Sequence, residues 1–247
     1  MAKKHFYEQK EFTSTYLIPY FEKYLPEFKN MRILEVGCAE AGFLDVLNDM
    51  NIDAIGIELE EQRVKIAKEL NPNLEVLLGN ITDEKFCDDI GQKFDLIVMR
   101  DVIEHIPDRM ATFANLRKLL EEDGYLYITF PPRFSAFAGH QQNYHSILKY
   151  FPYLQLFPDV FIKILASSFK ENPGVTEQVI LNYKVGLSLR KFEEYYKKFN
   201  FKLVVEELFF FRPIYQIRFK VKPRKSPNIP FVKKIMAYGC ECLLQKN

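Results

Sequence analysis

The chain has 247 residues, of which 48% are hydrophobic and 27% charged, and its formal net charge is +1. That profile suits one α/β domain, or one domain with a sizeable insertion, and excludes disordered and fibrous classes. The amino terminus, MAKKHFYEQKEF, has no apolar signal core, and no run reaches the roughly 18 to 20 apolar residues of a membrane span. Cys38, Cys87, Cys240 and Cys242 show no C-x-x-C pairing. Neither a metal site nor a disulfide framework is therefore expected, and a cytoplasmic location is. Residues 1–130 carry 15 Lys and Arg against 25 Asp and Glu, whereas 131–247 carry 19 against 8. The asymmetry reads either as two solvated faces or as a second half that meets something anionic, an acceptor or a lipid surface.

Strand-like runs rich in β-branched residues alternate with amphipathic ones through the first half. MRILEVG (31–37), IDAIGIEL (52–59), LEVLLGN (74–80), FDLIVMR (94–100) and GYLYITF (124–130) read as strands. Helices are expected at 41–50, 60–70, near 83–90 and over 107–121. Such alternation implies parallel pairing through right-handed crossovers, hence an α/β, doubly wound, mostly parallel sheet of seven strands, Rossmann-like. After Phe130 the rhythm breaks into more than fifty aromatic, proline-punctuated residues, a helical insertion or lid over 131–187. SLRKFEEYYKKF (188–199) is a predicted helix with Ser188 as N-cap. FKLVVEELFFF and IYQIRFKV follow as two strands around Arg212 and Pro213. A basic linker and a C-terminal helix are expected over 222–247, with an apolar stripe at 232, 235, 236, 239, 240 and 243. The whole of 1–247 reads as one domain.

The turn after the first strand is where an open parallel sheet binds ligands. There ILEVGCAEAGF places Gly37, Ala39 and Gly42 on a degenerate dinucleotide pattern, with Glu58 twenty-one residues beyond Gly37. A pyrophosphate suits the positive end of a helix, but Glu35 stands two residues before the first glycine and is poorly placed for an anion. A sulfonium ligand without phosphate fits better beside Glu35, Glu40 and Asp101. It also tolerates alanine at 39 and 41. An NAD(P)-dependent oxidoreductase stays open as an alternative, as does a non-catalytic cofactor-binding module acting through the basic second half.

ILEVGCAEAGF, GIELEE, GNITDEKF, FDLIVMRDVIEHIPD and DGYLYITFPP occur in the order and at roughly the spacings of class I S-adenosylmethionine-dependent methyltransferases. The chain resembles most the branch acting on small-molecule and lipid-type acceptors, over about residues 31–131 and more weakly over 188–221. Ala39 and Ala41 replace the family's glycines, and Asn80 stands where aspartate is commoner. The resemblance implies S-adenosyl-L-methionine as cofactor. It would set Glu35 and Gly37 under the methionine part, with Cys38 and Ala39 along the turn. Glu58 would accept from both ribose hydroxyls, Leu59 would pack on the adenine, and Asn80 and Ile81 would hold its edge. Met99 and Arg100 would offer backbone carbonyls, with the Arg100 side chain turned away or paired with Asp101 or Glu104.

Methyl transfer needs alignment of donor and acceptor, and a base only where the nucleophile carries a proton of high pKa. FSAFAGHQQNYH follows the fifth strand and is free of charged residues from Phe134 to Leu148. Its Ser135, Ala136, Ala138 and Gly139 let the backbone turn closely, and His140 is the candidate base. His105, in EHIPD, is either a gap-filling helix-start residue or part of the reaction pocket. The acceptor is expected to be small or lipid-linked, with O-methylation favoured. The aromatic run 147–165 reads as the insertion's own core or as a lid for an isoprenoid or acyl chain. KVKPRK and the helix after it could rest on an anionic membrane. The dispersed basic residues argue against nucleic acid.

Overall fold

The computed structural model describes residues 2–247 apart from Ala138, Asn228, Pro230, Phe231 and the side chains of Lys233 and Lys234. Before the first strand the chain is helical from Ala2 to Tyr24: α1 (Ala2–Phe12), a π-helical turn (Thr13–Leu17) and α2 (Ile18–Tyr24). The widened turn has a local cause. Pro19 has no N–H to return to the carbonyl four residues back, and its ring crowds that carbonyl. Phe21 anchors this helix to the sheet, with ring centroids 5.1, 6.3 and 5.0 Å from Phe28, Phe43 and Tyr127. Full burial of such a ring contributes about 1.5–3 kcal/mol.

The alternating pattern then unfolds as expected, through β1 (Ile33–Val36), α3 (Gly42–Asp49), β2 (Ala54–Glu58), α4 (Glu61–Leu70) and β3 (Glu75–Leu78). It continues with α5 (Glu84–Asp89), β4 (Phe94–Arg100), α6 (Arg109–Leu119) and β5 (Leu120–Phe130). Asp83 and Asp108 cap α5 and α6 by accepting from Phe86 and Ala111 N–H. The insertion holds short 3₁₀ turns, α7 (Asp159–Ser168) and α8 (Pro173–Val185), around a small core of its own that includes Tyr144, Leu154, Ile162 and Tyr183. Of the small residues singled out there, Ala138 lies outside the described residues. After it come α9 (Leu189–Lys198), capped by Ser188 as expected, and β6 (Phe201–Phe211).

Two expectations beyond Phe211 are corrected. IYQIRFKV does not form a strand: Pro213 starts the short helix α10 (Ile214–Phe219), and Lys220 ends it in the left-handed region. A two-residue strand, β7 (Arg224–Lys225), and α11 (Val232–Met236) follow. The chain then ends in a strand, β8 (Gly239–Lys246), and not in the expected long helix. Pro230 and Phe231, within that expected helix, lie outside the described residues. The physical reason is the sheet. β8 inserts between β5 and β6 and pairs antiparallel with both, so that its backbone is satisfied on two edges. All of its residues but Gln245 are buried. A short apolar run buried on both faces cannot be told from a buried helix by periodicity.

The sheet has eight strands in the order β3-β2-β1-β4-β5-β8-β6-β7. The first five are parallel. The order reverses between β1 and β4, and the cleft beyond their carboxyl ends is the site that this topology prescribes. Among the described residues no helix is long and apolar enough to cross a membrane.

Candidate active site

A cavity of about 540 Å³ opens beyond the ends of β1, β2, β4 and β5 and the start of β8. Its floor is the turn after β1. Gly37 (φ +73°) is irreplaceable there, because a Cβ would stand 2.3 Å from Val102 Cγ2. Ala39 (φ 53°) and Ala41 (φ 62°) keep the left-handed backbone that glycine would adopt freely. Each costs about 1–2 kcal/mol of strain. The Gly37 and Cys38 N–H groups donate to the Ile57 carbonyl at 2.8 and 3.1 Å, which ties the turn to β2.

Glu58, at the end of β2, lines the cavity with its carboxylate fixed by three backbone donors. Ala39 N–H meets Oε2 at 2.8 Å, and the Leu59 and Glu60 N–H groups meet Oε1 at 2.8 and 2.9 Å. A carboxylate has about four acceptor positions, so one remains free at Oε2. Ile57, Leu59 and Ile81 add apolar wall around it.

The other expected residues divide. Gly37, Ala39, Glu58, Leu59, Ile81, Arg100, His105 and His140 line the cavity, whereas Glu35, Cys38, Asn80 and Met99 do not. Cys38 and Met99 are buried in the core. Asn80 Oδ1 accepts from Thr82 N–H at 3.0 Å and so closes its own loop. Glu35 is buried and 2.5 Å from Arg100 Nη2, and burial pushes its carboxyl up despite that partner. Arg100 thus pairs with Glu35 and lies over the Phe43 ring, not with Asp101 or Glu104. Glu40 likewise pairs with His5 and Arg63, and Asp101 with Arg212 at 2.5 Å. The three acidic residues read as a cradle for a cationic ligand are therefore each matched by a cation of the protein.

The two histidines meet. His105 comes from the 3₁₀ turn after β4 and His140 from the insertion, and their Nε2 atoms are 3.1 Å apart. Such a contact needs one proton between two lone pairs, so one ring donates and the other accepts. Burial lowers both pKa values below the ordinary 6.5. Burial thus favours the neutral form of both rings, and the second nitrogen of His140, Nδ1, lies 3.2 Å from Gln142 Nε2.

Two further contributions were missed by the sequence reading. His5, Glu8, Gln9 and Phe12 of α1 close one side of the cavity. Their spacing, i, i+3, i+4, i+7, was the available signal. Gln9 clamps the turn: its Oε1 accepts from Gly42 N–H at 3.0 Å, and its Nε2 donates to the Cys38 carbonyl at 3.3 Å. Arg212 and Glu241 also line the cavity. No motif marked them, because β6 and β8 bring them in from far along the chain.

A family model described as a methyltransferase domain matches residues 10–205. Among curated proteins the chain is 24% identical over 107 residues to the ubiquinone biosynthesis O-methyltransferase of Bartonella quintana, covering 42% of this chain and 43% of that protein. It is 30% identical over 104 residues to the mitochondrial enzyme of the same name from Bos taurus, covering 40% and 28%. The chain spans about half the length of the curated relatives it matches, or less. Among solved structures, the plantazolicin methyltransferase BamL, in complex with a triazolic desmethylPZN analog and SAH, superposes with a TM-score of 0.58 at 13% identity, over 96% of this chain and 85% of that one. A SAM-dependent methyltransferase from Archaeoglobus fulgidus gives 0.54 at 13% identity over 93% of each chain. The family match runs through the floor turn, the Glu58 strand end and the histidine pair, and the chain belongs to the methyltransferase domain family.

Proposed function

We propose that the chain transfers a methyl group from S-adenosyl-L-methionine to a hydroxyl of a small or lipid-linked acceptor. The observation that carries this reading is the Glu58 carboxylate, held on the cavity wall at the end of β2 with an acceptor position free. The residues fit the cofactor: Glu58 would hold the ribose, with Leu59 and Ile81 beside the adenine. Bound there, the cofactor supplies a methyl group activated on a sulfonium. The protein's own part is to align the acceptor, exclude water and take up a proton. His140, against His105 on the cavity wall, would be the group that takes up the proton.

The dinucleotide alternative loses its support at α3. A Cβ at Gly42 would lie 2.4 Å from the Phe6 carbonyl, so α1 covers the helix start on which a pyrophosphate would rest. Gln9 already takes the Gly42 N–H. The non-catalytic alternative would gain from a filled or closed cavity beside His140, whereas His140 lines a cavity of about 540 Å³. A lid role for 131–187 and a peripheral contact with anionic membrane are supported by the large apolar side chains the insertion exposes, Ile147, Tyr150, Leu156, Val160 and Ile164 among them. The basic stretch KVKPRK is itself exposed, whereas the later part of the apolar stripe expected after it, at 239, 240 and 243, belongs to a buried strand. A cytoplasmic location completes the reading.

The test is methyl transfer itself. The protein, labelled donor and a cellular extract split into lipid and water-soluble fractions should give label in an ether or ester of a small or lipid-linked product. Label in protein, in nucleic acid or in neither fraction contradicts the proposal.

A further inference from the structure

The end of the cavity away from the floor turn is polar, and no step above uses it. Glu241, on β8, is 3% exposed yet lines the cavity, opposite Thr129 of β5 and Glu207 of β6. The Tyr16 hydroxyl donates to its carboxylate, 3.0 and 3.1 Å from the two oxygens. Tyr16 belongs to the π-helical turn Thr13–Leu17, a device that re-aims side chains within a helix. Two residues before Thr129, and so on the same face of β5, Tyr127 also lines the cavity; it is fully buried, and its hydroxyl reaches toward the Glu241 carboxylate without completing a well-formed hydrogen bond. A buried hydroxyl left so is costly, and each one calls for an explanation.

We propose that Glu241 and Tyr127, with Tyr16 holding the Glu241 carboxylate from behind the wall, form the acceptor-recognition end of the cavity, and that this end takes an uncharged hydroxyl group. The proposal rests on the methyltransferase reading for the word acceptor, but not for the ligand chemistry. A hydroxyl can donate to the Glu241 carboxylate and accept the proton of Tyr127 at once. An ammonium can only donate, and leaves the Tyr127 proton unmatched. A carboxylate would face Glu241, and the charge of the nearby Arg212 guanidinium is already matched by Asp101. The three residues act by positioning the ligand.

The experiment compares phenol, toluene, benzylamine and benzoate as probes by ligand-observed NMR, on the full chain with and without S-adenosylhomocysteine. Phenol should bind at least about tenfold more tightly than toluene, because a site built for a hydroxyl rejects its isostere. It should also bind more tightly than either charged probe. In Glu241→Gln and Tyr127→Phe the phenol–toluene difference should shrink about tenfold, while S-adenosylhomocysteine affinity stays within twofold. Two variants guard against one failing to fold. Equal binding of phenol and toluene, preference for benzylamine or benzoate, or an undiminished difference in the folded variants would overturn the proposal. Failure of S-adenosylhomocysteine to bind would instead sink the methyltransferase reading, and the probe comparison on the free protein would still decide this one.

Discussion

The Nε2 atoms of His105 and His140 share one proton, and burial keeps the pair neutral at pH 7. If a hydroxyl is the acceptor, His140 takes its proton as the oxygen attacks, giving up one of its present partners, His105 or Gln142. His140→Ala should then lower turnover by about 10²–10⁴-fold, the usual share of a general base. His140→Gln should be nearly as slow, since an amide can hydrogen-bond the hydroxyl but cannot take the proton. The sign of the pH effect follows from the direction of the shift. Activity depends on the unprotonated ring, so it should hold at pH 7–8 and fall only well below 6.5, as the pair gains a proton. A Gln variant with wild-type turnover, or a rate flat down to pH 5, would reduce His140 to a positioning role. His140 was legible in the sequence through the uncharged loop around it, and its partner only as one of two readings. Arg100 was misread for a physical reason: which carboxylate a cation meets depends on strand register, and β1 pairs with β4 so that Glu35 stands opposite Val98, two residues before Arg100 and on the same face.

At the level of elements, the site depends on a helix that the strand–helix rhythm never announced. α1 packs on α3 across Gly42, and the absent side chain is what lets it come so close. Gly42→Ala should therefore push α1 off the turn, at a cost of about 1–3 kcal/mol for overpacking. Proteolysis within residues 2–24 should quicken while the sheet stays protected, and unchanged stability together with unchanged cleavage would show that α1 does not depend on this contact. The turn itself, read as a ligand floor, does line the cavity, yet the helix covering it was missed. Its face of His5, Glu8, Gln9 and Phe12 carries only two apolar or aromatic rings, so its pattern signals a cavity wall more than a core. The reverse error occurred at β8. CECLL is apolar enough for either state, and only the open edges of β5 and β6 decide for a strand.

Across the whole molecule, the parallel half of the sheet was legible because each unit is local: strand, turn and helix lie within about 25 residues of one another. The antiparallel half was not. β8 reaches β5 across more than a hundred residues, and local periodicity carries no trace of such pairing. This is also why Gly37, Ala39 and Glu58 could be named in advance while Arg212, Glu241 and Tyr16 could not. The account as a whole hangs on the residue where the two halves of the cofactor assignment meet, the strand-end carboxylate of Glu58. Calorimetric titration of S-adenosylhomocysteine into the wild type and into Glu58→Ala, with circular dichroism to check the fold, tests it most directly. The wild type should bind, and the variant should lose about 1.5–3 kcal/mol, roughly 10- to 100-fold in affinity, for the charged hydrogen bonds removed. Glu58→Gln, which keeps one acceptor oxygen for the Ala39 N–H, should fall between them. No binding to the wild type, or equal affinity in a folded Glu58→Ala variant, would contradict the account.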